Sequence, residues 1–172
     1  MYPSRLRVNP LRLTPEDVRI EDIAHHLALI NRFNGGTPKP INVAQHSVLV
    51  SRLLPDEHAL AGLLHDASEA YLGDVTKWLK MSDAMTAYRE AEAWAQRVIF
   101  GVFGCPLEQH PDIDDVDRLM VRYEAWKSGI TIDVPGYEPP NKEERAKLSG
   151  WKPWSGQYAE ELFMATFRSL TI

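Results

Sequence analysis

The stretch AGLLHDASEAYLGDV, residues 61–75, sets two ionisable side chains, His65 and Asp66, directly after an apolar run. Glu69 follows three residues after Asp66 and four after His65, so on a helix the three share one neighbourhood. Charged groups leaving an apolar stretch are costly unless they are paired or bound to a cation. Asp74 lies just past Gly73, where a loop can carry its carboxylate back over the same place. Two other segments offer matching groups: His46 interrupts the apolar run INVAQHSVLV, and Asp117 stands in IDDVDRLMV just before Leu119, Met120 and Val121. If three helices pack together, two imidazoles and two carboxylates converge. Such a mixed nitrogen and oxygen set suits one divalent ion with positions left for water and substrate, Co or Mn ahead of Mg, Ni, Fe or Zn. A solitary His-Asp dipeptide is common on solvated helices; the upstream His46, the downstream Asp117 and the nearby Glu69 and Asp74 set this one apart.

These groups need rigid elements to hold them, and the apolar periodicity supplies six main helices. Residues 1–18 read as an extended arm. IEDIAHHLALINRF puts Ile20, Ile23, Ala24, Leu27, Ile30 and Phe33 on one helical face, ended by Gly35–Gly36, Pro38 and Pro40. Asn42 caps VAQHSVLVSRLL, which Pro55 stops; Asp56 caps EHALAGLLHDASEAYL, closed by Gly73. A short helical turn is expected in VTKWLK. The longest helix runs from an N-cap at Ser82 to Gly104, the next from Pro111 to Gly129, and the last from an N-cap at Ser155. Residues 130–153 read as a surface loop with a turn in KEERAKL. With hardly any strand-type alternation and no internal repeat, the expectation is an all-α, irregular helical bundle forming a single domain over residues 1–172.

Composition narrows the partners. A net charge of -5 gives no basic face for a nucleic acid polymer, but a metal and a few local cations can still hold a small phosphate. The single Cys105 excludes an internal disulfide and a multi-cysteine zinc site. The longest apolar run falls short of the ~18 residues that span a membrane, and MYPSRLRVNP lacks a signal-peptide core, which makes the cytoplasm the expected location.

The order His46, then His65–Asp66, then Asp117 resembles the metal-binding pattern of the HD-domain phosphohydrolases. RIEDIAHHLALINRFNG, LLHDASEAYLGDV, VDRLMVRYEA and PWSGQYAEELFMATFRSL are similar to the YfbR-like 5′-deoxynucleotidases and related bacterial and phage HD hydrolases. The likeness covers most of the chain outside its extreme N-terminus and residues 130–150. It implies His46, His65, Asp66 and Asp117 as metal ligands and Glu69 as the group orienting or deprotonating the attacking water. It further implies Asp74 as the acid for the departing 5′-oxygen, Arg32 and Lys80 as phosphate-facing cations, and Phe33 beside the sugar. The implied reaction is removal of the 5′-phosphate from a deoxynucleoside monophosphate. Hydrolysis of dNTPs such as dATP is the alternative, and a catalytically silent nucleotide-binding sensor is a third reading. Relatives often form dimers or rings, so a homo-oligomer is expected. The chain departs from the pattern in three ways: Phe33 replaces a Trp, Gln45 stands where relatives commonly have Glu, and the stretch between His46 and His65 is shortened.

His25, seven residues before Arg32, fits either a place on the same helical face towards the site or plain helix-surface or core packing, and His26 is expected towards solvent. His58 and His110 could suggest a second metal at the centre, but His58 lies about two helical turns (~10 Å) from His65, which favours one. Glu124, seven beyond Asp117, fits both a structural salt bridge and a catalytic role.

Overall fold

The computed structural model describes residues 1–130 and 137–171; the expectation of a loop over 131–136 lies outside them. The described residues contain nine α-helices and no strand, so the fold class is all-α. Six are the main helices: α1 (Ile20–Leu29), α2 (Val43–Leu53), α3 (Asp56–Leu63), α6 (Thr86–Phe103), α7 (Pro111–Ser128) and α9 (Gly156–Leu170). Three short ones, α4 (Glu69–Leu72), α5 (Lys77–Lys80) and α8 (Lys142–Lys147), complete the set.

Helix α2 sits at the centre, packed against α1, α3, α7 and α9, and its residues 43–48 are all buried. Its start is set by Asn42, whose side chain accepts the Gln45 amide at 2.8 Å and so satisfies one orphan donor of the first turn. Ser155 does the same for α9 through the Tyr158 amide. One apolar core joins Ile23 and Leu27 of α1, Val48 of α2, Leu63 of α3, Ile99 and Phe100 of α6, Ile113 and Met120 of α7, and Phe163 of α9. Helices α2 and α3 approach closely at Gly62, where a Cβ would collide with the Leu54 side chain.

Four boundaries differ from the periodic reading. The helix α1 stops at Leu29 rather than reaching Phe33: Ile30 and Asn31 turn extended, and Asn31 pairs with Asn42 in an isolated antiparallel bridge. Two backbone bonds, from Arg32 to the Ile41 carbonyl (2.8 Å) and from Val43 to the Ile30 carbonyl (3.0 Å), close this loop. The helix expected through EHALAGLLHDASEAYL is broken at 64–68 into α3 and α4. There His65 Nδ1–H donates to the Gly62 carbonyl at 2.8 Å, and the backbone goes on through shorter bonds such as Glu69 to Asp66. Pro55, not Asp56, takes the cap position of α3. Ser82 precedes only a 3-10 turn, Asp83–Met85, its hydroxyl donating to the Leu79 carbonyl, and α6 begins at Thr86. The N-terminal arm is extended but tied down: two 3-10 turns interrupt it, Leu13 is buried, and the Trp94 indole N–H donates to the Leu13 carbonyl at 2.9 Å. No described helix is long and apolar enough to cross a membrane.

Candidate metal centre

Helix α2 brings His46, the turn after α3 brings His65 and Asp66, and α7 brings Asp117 to one place. His46 Nε2 lies 3.0 Å from Asp117 Oδ1 and 3.3 Å from His65 Nε2, and His65 Nε2 lies 3.2 Å from Asp66 Oδ2. Donor atoms ~2.1 Å from a shared ion stand ~3.0 Å apart at right angles and ~3.4 Å apart at the tetrahedral angle. These three distances fall in that span. The wider ones, His46 to Asp66 at 3.8 Å and His65 to Asp117 at 3.9 Å, leave the cradle open on one side. His46, His65 and Asp66 have donor atoms within 4.8 Å of one another, and Asp117 Oδ1 stands as close to the two imidazoles as Asp66 does.

The tautomers follow from the outer contacts. His65 Nδ1 faces a carbonyl and His46 Nδ1 faces Glu124 Oε1 at 3.3 Å, so both carry their proton on Nδ1. Both Nε2 atoms then present lone pairs to each other at 3.3 Å, an arrangement that calls for a proton or a cation between them. That chemistry fits a divalent ion, and the carboxylate and carbonyl behind the rings are the orienting partners metal-bound imidazoles use.

Glu124 is fully buried and serves two donors. Its Oε2 accepts from Arg32 Nε at 2.9 Å while its Oε1 faces His46, and Arg32 Nη1 reaches Asp66 Oδ2 at 3.5 Å. Buried charges persist when paired and hydrogen-bonded in this way. Arg32 is therefore locked beside the cradle from a loop, not from the helix its spacing suggested. Phe33, next in the chain, lies under the guanidinium, 5.8 Å from ring centroid to Cζ, and adopts φ +54°. A non-glycine residue in this left-handed region stores ~1–3 kcal/mol.

Glu69 is buried too, and its Oε2 has no hydrogen-bond partner. Burial, with the Asp66 and Asp74 charges added, pushes its carboxyl up to about 9. Burial also raises Asp74, whose charge acts on Glu69 and Arg32 from the loop after Gly73 (φ +82°). Lys80 is not a free cation: its Nζ is held by Glu92 Oε1 at 2.6 Å on α6, although its charge still reaches Glu69 and Asp66.

The neighbouring histidines point elsewhere. His25 is bonded to Glu160 of α9 at 3.0 Å, so the helical face expected to unite it with Arg32 does not exist once α1 ends at Leu29. His26 is not turned to solvent: its Nδ1 lies 3.0 Å from the Ala70 carbonyl of α4. Gln45, one residue before His46, is fully buried; its amide donates to the Lys152 carbonyl at 2.9 Å and accepts the Trp154 N–H at 2.8 Å. A glutamate there would lose the donor half of that latch. Sequence reading left Glu124 ambiguous and missed the Gly62 carbonyl; the spacing of seven from Asp117, which keeps Glu124 on the same face, was the available signal.

The ionisation balance gives a testable pH dependence. Burial and the Arg32 charge lower His46, but Glu124 and Asp117 raise it overall; burial likewise opposes Asp66 and Asp117 at His65, which ends well above its ordinary value. Burial raises Asp66, yet His65 and His46 bring it down to about 2, and hydrogen bonds from the same imidazoles outweigh burial to hold Asp117 well below the carboxylate range. Raised imidazoles stabilise the fold fully below their unfolded value of ~6.5, and that contribution is lost as pH rises through their folded values. Depressed carboxylates contribute above ~4 and lose it as pH falls towards ~2. The Tm of EDTA-treated protein therefore falls as pH rises above ~6.5, while the Tm gain on adding Mn²⁺ grows, because protons and cation compete for Nε2. Thermal melts across about pH 5.5 to 8.5 decide it; a Tm gain independent of pH contradicts the shared-lone-pair geometry.

No family model matches the chain. It is similar to the uncharacterised protein YfdR of Escherichia coli (strain K12), 34% identical over 119 residues, an alignment covering 69% of this chain and 66% of that one. It is also similar to an uncharacterised protein of Rhodobacter capsulatus, 45% identical over 78 residues, which covers 40% of each chain. The chain thus spans just under two thirds of the length of the first relative and two fifths of the second, and neither printed name states an activity.

Proposed function

We propose that the protein is a metal-dependent phosphohydrolase of the HD type that removes the 5′-phosphate from a deoxynucleoside monophosphate. The observation that carries this reading is the pair of imidazole Nε2 atoms 3.3 Å apart between Asp66 and Asp117, with the Arg32 guanidinium locked alongside. Phosphate monoesters hydrolyse very slowly unaided, so positioning and charge stabilisation must supply the rate. His46, His65, Asp66 and Asp117 would hold the ion. When bound, it polarises a phosphoryl oxygen, acidifies water, and offsets the carboxylate field that raises Glu69.

The chain's own groups do the rest. Arg32, always charged and held rigid by Glu124, presents the outer edge of its guanidinium to phosphate oxygens. Glu69, with its unpartnered Oε2 in a dry setting, takes the proton of the attacking water. Asp74, its pKa raised, returns a proton to the leaving 5′-oxygen. The strained Phe33 offers the sugar an aromatic face. Among the described residues, Arg32 contacts the cradle through Asp66 while Lys80 is held by Glu92 on α6, so the reading taken is a single phosphate.

Assay of dAMP and dATP side by side with Mn²⁺, Co²⁺ and Mg²⁺ tests the reading: phosphate release from dAMP is expected. Triphosphate from dATP would replace the substrate assignment, and binding without turnover would make the protein a sensor. Glu69→Gln is expected to keep metal and substrate binding and to lower kcat ~10²-fold or more; an unchanged kcat removes Glu69 from the chemistry.

A further inference from the structure

A second set of metal-binding side chains lies away from the centre just described. His58, in the first turn of α3, is mostly buried, and its Nε2 is 3.6 Å from Glu57 Oε1, beyond hydrogen-bond length. The ring of His110, which precedes α7, stacks on it with centroids 4.0 Å apart and planes 19° from parallel. His110 Nδ1 accepts the Asp112 amide at 3.3 Å and stands 3.6 Å from Asp112 Oδ1. One donor atom from each of His58, His110 and Asp112 lies within 4.8 Å of the others.

We infer that His58, His110 and Asp112 form a separate transition-metal site that fastens the start of α7 to α3. Two imidazole nitrogens and one carboxylate oxygen select Zn²⁺, Ni²⁺, Co²⁺ or Cu²⁺; Ca²⁺ and Mg²⁺ require shells of oxygen. The helix N-termini of α3 and α7 oppose a cation with ~0.5 charge each, but the full charges of Glu57 and Asp112 beside the rings exceed that. Donors around one ion stand closer than 4.8 Å, so binding requires small rotations of His110 and Asp112, 48% and 51% exposed, away from the amide bond that His110 Nδ1 now accepts. The site shares no residue with the central cradle, His58 lying seven residues before His65. An ion here joins the helix leading into His65–Asp66 to the helix carrying Asp117, and so braces two arms of the centre. The inference is independent of the proposed hydrolase activity.

The test is Ni²⁺ binding to untagged, EDTA-treated full chain, followed by calorimetry and by Tm, against His58→Gln/His110→Asn. Asn is a favoured N-cap, so the start of α7 is preserved in the variant. The variant is expected to bind one ion fewer per chain than the parent and to lose part of the Ni²⁺-dependent Tm gain, with no difference in Mg²⁺. A parent binding two ions and a variant one leaves both sites standing. One and none keeps this site and removes the central one. Equal stoichiometry in parent and variant overturns the inference.

Discussion

Asp66→Ala is expected to abolish phosphate release and metal binding while the far-UV circular dichroism keeps its helical shape. Asp66 Oδ2 lies 3.2 Å from His65 Nε2, and of the four proposed ligands Asp66 is the one that also contacts Arg32. Loss of an outer-shell partner alone lowers metal affinity ~10–100-fold, so loss of a direct ligand should exceed ~100-fold. Helicity survives because Asp66 sits in the turn between α3 and α4, and its side chain is not part of the buried core. Normal turnover by a metal-free Asp66→Ala protein would end the proposed mechanism.

Glu124→Ala is the second large effect, and it separates stability from affinity. Removing this fully buried carboxylate strands the Arg32 guanidinium and the His46 Nδ1–H together. Breaking a buried ion pair from one side costs ~3–5 kcal/mol. At ~2–4 °C per kcal/mol for a chain of this size, the Tm should fall by ~6–20 °C. Affinity for Mn²⁺ should fall ~10–100-fold, because His46 loses the partner that fixes its tautomer. Glu124→Gln should lie between: it keeps the volume and one acceptor, but its amide N–H opposes one of the two donors. Melts and metal titration of both variants settle the point, and a Tm within ~2 °C of the parent would show that Glu124 is not the keystone of this network.

The main helices and all four converging groups were legible because they lie on or beside elements with clear local signals. Asn42 and Ser155 carry standard cap chemistry, Gly104 and Gly129 end helices with positive φ, and His46 and Asp117 interrupt strong apolar periodicities. What escaped was fixed by partners far along the chain. Residues 30–33 continue the apolar spacing of α1, yet Ile41 and Asn42 pull them into a bridge, and Arg32 reaches the site from a loop. Lys80 has its counter-ion twelve residues ahead on α6, and Arg32 has its own ninety-two residues ahead on α7. No local pattern reveals either pairing. The break at His65 was hidden because a side chain, not a helix-breaking residue, claims the Gly62 carbonyl.

The Gln45 latch carries a consequence for the order of events during synthesis. The residue beside His46 is clamped by main-chain atoms 107 and 109 positions downstream, so helix α2 gains its final seating only after residues 152–154 have emerged. A nascent chain holding His46, His65, Asp66 and Asp117 already carries the four proposed ligands yet lacks the strap that seats α2. Capture of metal should therefore lag behind emergence of the ligands, and wait for residues 152–154 to dock.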